Sequence, residues 1–221
     1  IHAVYLPWLQ DAAEHFQKLV GANPLPDHDA QAEDAAIEPG TCILFVDGLR
    51  FDLGVRLSQL AQNRNLRVVQ NRRWAALPTV TATAKPAVSP VIQKLIGHRL
   101  PADFSPEIRD AGQPLNSPRF KDLVMGMGFQ WLSEAETGKP FDADARAWTE
   151  CGEFDKLGHD LKAKLATQVS DQLELLMNRI DALVAAGWKQ VRVVTDHGWL
   201  IASCDLDSMV LPKYMAESRW A

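Results

Sequence analysis

Two apolar runs in this chain end in side chains that bind cations. Thr41–Val46 (TCILFV) leads into Asp47-Gly48, and Val191–Thr195 (VRVVT) leads into Asp196-His197-Gly198. Read as strands buried on both faces, they carry Asp47, Asp196 and His197 to the carboxyl ends of two strands. That is the edge where open parallel sheets bind ligands. Two carboxylates and an imidazole suit zinc or manganese. A second pair lies in Asp155-Lys156-Leu157-Gly158-His159, where Asp155 and His159 can reach one ion from a turn and Gly158 permits a tight bend. The stretch Leu77-Pro78-Thr79-Val80-Thr81-Ala82-Thr83-Ala84-Lys85 places hydroxyl nucleophiles just ahead of an expected helix, whose first amides favour a phosphate. A threonine hydroxyl is a poor nucleophile at neutral pH. Metal coordination activates it, and a pair of ions holds both the attacking and the leaving oxygen. Lys85 would add positive charge beside phosphoryl oxygens.

The elements that must position these groups follow from periodicity. Leu53, Leu57 and Leu60 mark a helix after the first strand, and Leu66–Gln70 reads as a second strand. A helix is expected from about Lys85 to Ile96, an inserted loop over residues 99–118, a helix over Phe120–Met127 and a strand over Phe129–Leu132. The stripe Leu161, Leu165, Val169, Leu173, Leu176, Ile180 and Leu183 predicts one long helix from Leu161 to about Ala186, with Gly187 just past its end. Strands alternating with helices define an α/β fold, a mostly parallel central sheet flanked by helices. Residues 1–20 form an amphipathic helix through Leu9, Ala12, Phe16 and Val20, and residues 21–40 have linker composition. Residues 1–40 are thus expected to be the tail of a preceding region, with the main domain over 41–221.

Each group also has a plainer reading. Asp47-Gly48 and Asp196-His197-Gly198 suit polar turns, and Asp155–His159 or the threonines suit helix caps. Asp27-His28-Asp29 sits in the linker and reads as a solvated loop. His2, His15 and His98 have no ligand-spaced partners. The seven tryptophans read as core and interface residues rather than base-stacking platforms. Arg50 and Asp52 lie near these groups and read as a helix-start ion pair at least as readily as catalytic residues.

Composition sets bounds. The 221 residues, 47% apolar and 23% charged, suffice for one ordinary domain with a sizeable core. No apolar run approaches the about 18 residues of a membrane span, and no secretory leader is visible. The three cysteines, Cys42, Cys151 and Cys204, lack the spacing of a disulfide framework or zinc ribbon and fit a reducing cytosol. A net charge of −5 gives no global attraction to nucleic acid, although bound cations would reverse the local field. The chain starts at Ile1 and is expected to be a piece of a longer protein, truncated at its C-terminus.

Val46-Asp47-Gly48-Leu49-Arg50, Pro78-Thr79-Val80-Thr81, Asp155-x-x-Gly158-His159 and Thr195-Asp196-His197-Gly198 occur in an order that resembles the alkaline phosphatase superfamily over roughly residues 41–205. The wording of Leu77–Pro86 and Thr195–Leu200 is similar to the PglZ domain of BREX phage-defence systems. The resemblance implies an alkaline-phosphatase-like core with two divalent ions, commonly zinc. It places Asp47, Thr81, Asp196 and His197 around one ion and Asp155 with His159 on the other. It also implies a phosphothreonine intermediate on Thr81, with Thr79 as the fallback nucleophile, and hydrolysis of phosphomonoesters or phosphodiesters, nucleic acid being a candidate substrate. Other defence-complex proteins are the implied partners. The diesterases follow their threonine with Phe-Pro-Asn, where this chain has Ala82-Thr83-Ala84, so Thr83 or Lys85 must replace the phosphate-binding asparagine. The family's later histidine for the second ion has no counterpart between His197 and Ala221, so it is expected either beyond Ala221 or to be missing, with the second ion held poorly by this piece. The rival expectation is a non-catalytic module of a defence complex that uses metal for structure. A sulfatase is disfavoured because no Cys/Ser-x-Pro-x-Arg pattern is present, and a phosphomutase because residues 99–150 are too short for a cap domain.

Overall fold

The computed structural model describes residues 2–23, 37–72, 74–76, 79–97 and 105–199. Its centre is a parallel sheet of four strands: β1 (Thr41–Phe45), β5 (Gln130–Leu132), β6 (Arg146–Glu150) and β7 (Gln190–Val194), in the order β5-β6-β1-β7. A second, small antiparallel sheet joins β2 (Leu95–Ile96), β3 (Glu107–Ile108) and β4 (Gln113–Pro114). The helices are α1 (His2–Ala22), α2 (Phe51–Asn63), α3 (Thr81–Ala87), α4 (Ser117–Gly126), α5 (Phe154–Leu161) and α6 (Val169–Ala186).

The continuous apolar run of β1 is explained by a core on each side of it. Leu44 and Val46 pack with Leu53 and Leu57 of α2 and with Leu173, Leu176 and Met177 of α6. Ile43 and Phe45 point the other way, onto Trp148, Phe120 and Val124. Strand side chains alternate between faces, so a strand covered on both must be apolar throughout. Helix ends follow local chemistry. Asn116 caps α4 by accepting from the Arg119 amide at 3.0 Å, and Gly187 ends α6 at φ +112°.

Several expectations need correction. Leu66–Gln70 joins no ladder; Leu66 and Val68 lie on the core while Arg67 and Val69 face outwards. Alternation alone signals a strand-like trace and cannot supply a hydrogen-bonding neighbour. The helix expected over Lys85–Ile96 is instead α3, which begins at Thr81, followed by a 3-10 turn over Ile92–Lys94. The expected long helix is broken. A 3-10 segment, Lys162–Thr167, separates α5 from α6, yet Leu165 stays fully buried, so the stripe survives the break. Within the loop assigned to 99–118 lie β3, β4 and the start of α4, while residues 98–104 fall outside the described ones. Strand β6 carries Arg146, Thr149 and Glu150 and shows no apolar run to betray it. The linker residues 24–36, including Asp27, His28 and Asp29, and also His98 and Cys204, lie outside the described residues.

Helix α1 leaves Val4, Trp8, Phe16 and Leu19 exposed. Among the described residues no helix is long and apolar enough to cross a membrane. The placement of α6 on the sheet is testable by urea titration. Leu173→Ala, at a fully buried position, should cost about 2–5 kcal/mol of unfolding free energy. Val4→Ala, at a 77% exposed position, should change it by less than about 0.5 kcal/mol. A cost at Leu173 below about 1 kcal/mol would mean that α6 does not pack there.

Candidate metal centre

The sheet register builds the site. Phe45 of β1 is level with Glu150 of β6 and with Val194 of β7. Two residues past that line, Asp47 and Asp196 leave neighbouring strands at one rim. The loops that carry them are stitched together. Asp196 Oδ1 accepts from the amides of Gly48 (3.2 Å) and His197 (2.9 Å). Thr195 Oγ1 accepts from the Leu49 amide (3.0 Å), and Trp199 Nε1 donates to the Gly48 carbonyl (2.8 Å). Gly48 has φ +67°, and a Cβ there would stand 3.1–3.3 Å from Asp155 Cβ, N and Cα. Glycine is required both for the turn and for the approach of α5.

Four of the expected site residues meet at His197. Its Nε2 lies 3.1 Å from Thr81 Oγ1, 3.3 Å from Asp47 Oδ1, 3.7 Å from Asp196 Oδ2 and 4.0 Å from Asp155 Oδ1. Thr81 Oγ1 donates to Asp47 Oδ1 at 3.4 Å. Donor atoms of Asp47, Asp155 and His197 all lie within 4.8 Å of one another. Bonds of 2.0–2.2 Å in a tetrahedron place ligand atoms about 3.3–3.6 Å apart, so the 3.1–4.0 Å spread around Nε2 is the span one ion would draw together. Two further observations fit a cation. Asp196 Oδ2 is buried and has no hydrogen-bond partner. His197 Nδ1 lies 3.1 Å from the Gly198 carbonyl, and donation there leaves Nε2 as the free donor, the usual arrangement for a ligating histidine.

Asp155 belongs to this group more closely than the sequence pattern implies. It opens helix α5 rather than a turn, and Gly158 is helical. One carboxylate oxygen faces His197, and the other lies 3.4 Å from His159 Nε2, whose side chain is 79% exposed. Asp155 therefore stands between the two histidines. Sequence order gives no measure of that distance; the close approach at Gly48 creates it.

The remaining expected residues lie around the rim. Thr81 is the first residue of α3, after an extended Val80. Thr79 is exposed and is not among the residues that meet at His197. Lys85, one turn beyond Thr81, is paired with Glu150 at 2.7 Å and lies over the rings of Phe45 and Phe120. Glu150 is a partner that sequence reading missed, because β6 itself went unseen. Arg50 is bound through two hydrogen bonds to Asp52, as expected of a helix-start pair, and also covers the Trp199 ring at 4.6 Å.

The electrostatics are those of an acidic cluster with one imidazole. The hydrogen bond to Asp47 outweighs partial burial and holds His197 up to about 9. Burial, and then the charge of Asp47, raises Asp196 above the usual carboxylate range. In comparisons with protein-family models, with curated proteins and with solved structures, this chain matches none of them.

Equilibrium dialysis against zinc should find one tightly held ion per chain. Asp47→Asn should weaken it by more than the about 10–100-fold that loss of an outer partner costs; unchanged affinity would remove Asp47 from the site. A ligating His197 must give up its Nε2 proton. Because the metal-free imidazole stays protonated until about 9, zinc uptake near about pH 7.5 should release about one proton. The apparent affinity should then rise with pH and level off once the imidazole is neutral. Calorimetry in buffers of different ionisation enthalpy measures this, and no proton release would contradict the assignment.

Proposed function

We propose that this chain is a metal-dependent phosphohydrolase domain built on an alkaline-phosphatase-like core, with Thr81 as its nucleophile. Within that class, the motif wording of Leu77–Pro86 and Thr195–Leu200 favours a PglZ domain, which would place it in a cytoplasmic phage-defence complex. The observation that supports this reading best is the position of the Thr81 hydroxyl, held between His197 Nε2 and Asp47 Oδ1 where three metal-donor side chains converge. The two described cysteines are poor alternatives. Both thiols are free, and burial pushes them up, Cys42 to about 12, so neither is a thiolate at neutral pH.

Asp47, Asp155 and His197, with Asp196 Oδ2 as a further donor, would hold the first ion, zinc by donor type with manganese as the alternative. Asp155 and the exposed His159 would form the weaker second position. A divalent ion supplies Lewis acidity, lowering the pKa of an oxygen nucleophile and neutralising phosphoryl charge. The chain's own residues do the rest. Thr81 gives its hydroxyl proton to Asp47 Oδ1, its oxygen bonds to phosphorus as the bond to the leaving oxygen breaks, and that proton then passes to the departing alkoxide to give the alcohol. Water then cleaves the phosphothreonine, releasing phosphate or a phosphomonoester and restoring the hydroxyl. His197 would keep Nε2 toward the ion because its other nitrogen is tied to the Gly198 carbonyl. Phosphomonoesters and phosphodiesters, nucleic acid included, are the substrate range.

One observation favours the rival reading, a non-catalytic module with structural metal: the Lys85 charge is already engaged by Glu150. Two experiments separate the readings. Thr81→Ala should lower hydrolysis of bis(p-nitrophenyl) phosphate by more than about 10³-fold while leaving metal content and unfolding midpoint unchanged; undiminished turnover would exclude Thr81. Chelation should abolish turnover with little loss of folding, whereas a structural ion would take the fold with it.

A further inference from the structure

Charge is distributed unevenly along this acidic chain. Residues 53–102 contain eight Lys or Arg and no Asp or Glu, whereas the other residues carry 15 and 28. Part of that positive charge serves the fold. Arg64, at the end of α2, is bound to Glu174 and Asp181 of α6. Arg67 and Arg72 differ, because both are exposed and neither is in an ion pair among the described residues. They lie on the run outside helices and strands that follows α2. Leu66 and Val68 pin its start to the core, and Val69, 73% exposed, faces outwards beside them. Two positions past Arg72 is Trp74, which is 52% exposed and so is not the core tryptophan that the sequence reading expects. Seven residues on is Thr81, at most about 25 Å away along the chain.

We propose that Arg67, Arg72 and Trp74, with Val69, form a binding tract for single-stranded nucleic acid. An open polyanion matches its chemistry. The guanidinium groups neutralise backbone phosphates and release counterions, and a half-exposed indole offers a face on which an unpaired base stacks. A duplex keeps its bases stacked within the helix, so it cannot use Trp74 in this way, and an acidic polypeptide has no aromatic bases to place on it. If the catalytic reading holds, on which this part rests, the tract delivers a phosphodiester to Thr81.

The test is fluorescence anisotropy of a labelled 20-nucleotide oligothymidylate with the full chain across a salt series. Affinity should fall steeply with salt. The double variant R67E/R72E should bind at least about tenfold more weakly, with a salt slope shallower by about 1.4, while R67K/R72K should stay within about threefold of the parent chain. Trp74→Ala should cost roughly 5- to 150-fold. Because both arginines are exposed, R67E/R72E and R67K/R72K should keep the parent's unfolding midpoint. The tract is refuted if the parent chain fails to bind the oligonucleotide, if R67E/R72E binds like the parent, or if a duplex or polyglutamate of equal charge competes as well as the single strand. Tract-dependent binding without small-diester hydrolysis would sink the catalytic reading and leave the tract standing. Hydrolysis without such binding would do the reverse.

Discussion

The level register of β1 with β7 is the constraint on which the site depends. Because Phe45 pairs with Val194, residues two positions further on emerge side by side. Slipping one strand by a single residue would turn every side chain to the opposite face and carry Asp196 away from Gly48. Burial on β7 favours the register: Val191 and Val193 meet the core that holds Leu44 and Val46, while Val194 meets the one that holds Ile43 and Phe45. The hydrogen bonds from the Gly48 and His197 amides to Asp196 then fix the two loops to each other. Apolar packing thus positions a polar cluster that gains little stability of its own.

That cluster is costly in the metal-free chain. Asp47, Asp155 and Asp196 face one imidazole, and Asp196 is fully removed from water with one oxygen unpartnered. Like charges and burial both disfavour ionised carboxylates. Protonating His197 offsets part of this, which explains its elevated pKa, but a single positive charge cannot neutralise three carboxylates. A divalent cation would replace that proton and relieve the repulsion.

Much of the site was legible in the sequence because the ends of buried strands are easy to see. Thr41–Val46 announces itself by continuous apolar residues, whereas Val191–Thr195 has three valines around Arg192 and forms the part-exposed edge strand β7 rather than one buried on both faces; the polar residues that stop both are natural site candidates. Asp155 was visible as a candidate, but its place beside Asp47 depends on Gly48 admitting the start of α5, a contact between residues more than a hundred positions apart. Strand β6 was hidden because Arg146, Thr149 and Glu150 dilute its pattern; Trp148 alone fills much of the core there, against Phe45, Phe120 and Trp131. The break between α5 and α6 was hidden for the opposite reason. A 3-10 segment that keeps Leu165 buried leaves the apolar stripe looking continuous. Lys85 was recognisable as a cation near Thr81, but its pairing with Glu150 was not, since that partner sits on the unseen strand.

The measurement that bears most directly on the shared-cation geometry is anomalous diffraction at the zinc edge from crystals grown with zinc. A peak should lie between Asp47, Asp155 and His197 Nε2, at bond lengths of about 2.0–2.2 Å, with the Thr81 hydroxyl facing it. Well-ordered side chains at this rim with no peak among them, or zinc bound elsewhere while Asp155 turns away from His197, would contradict the account.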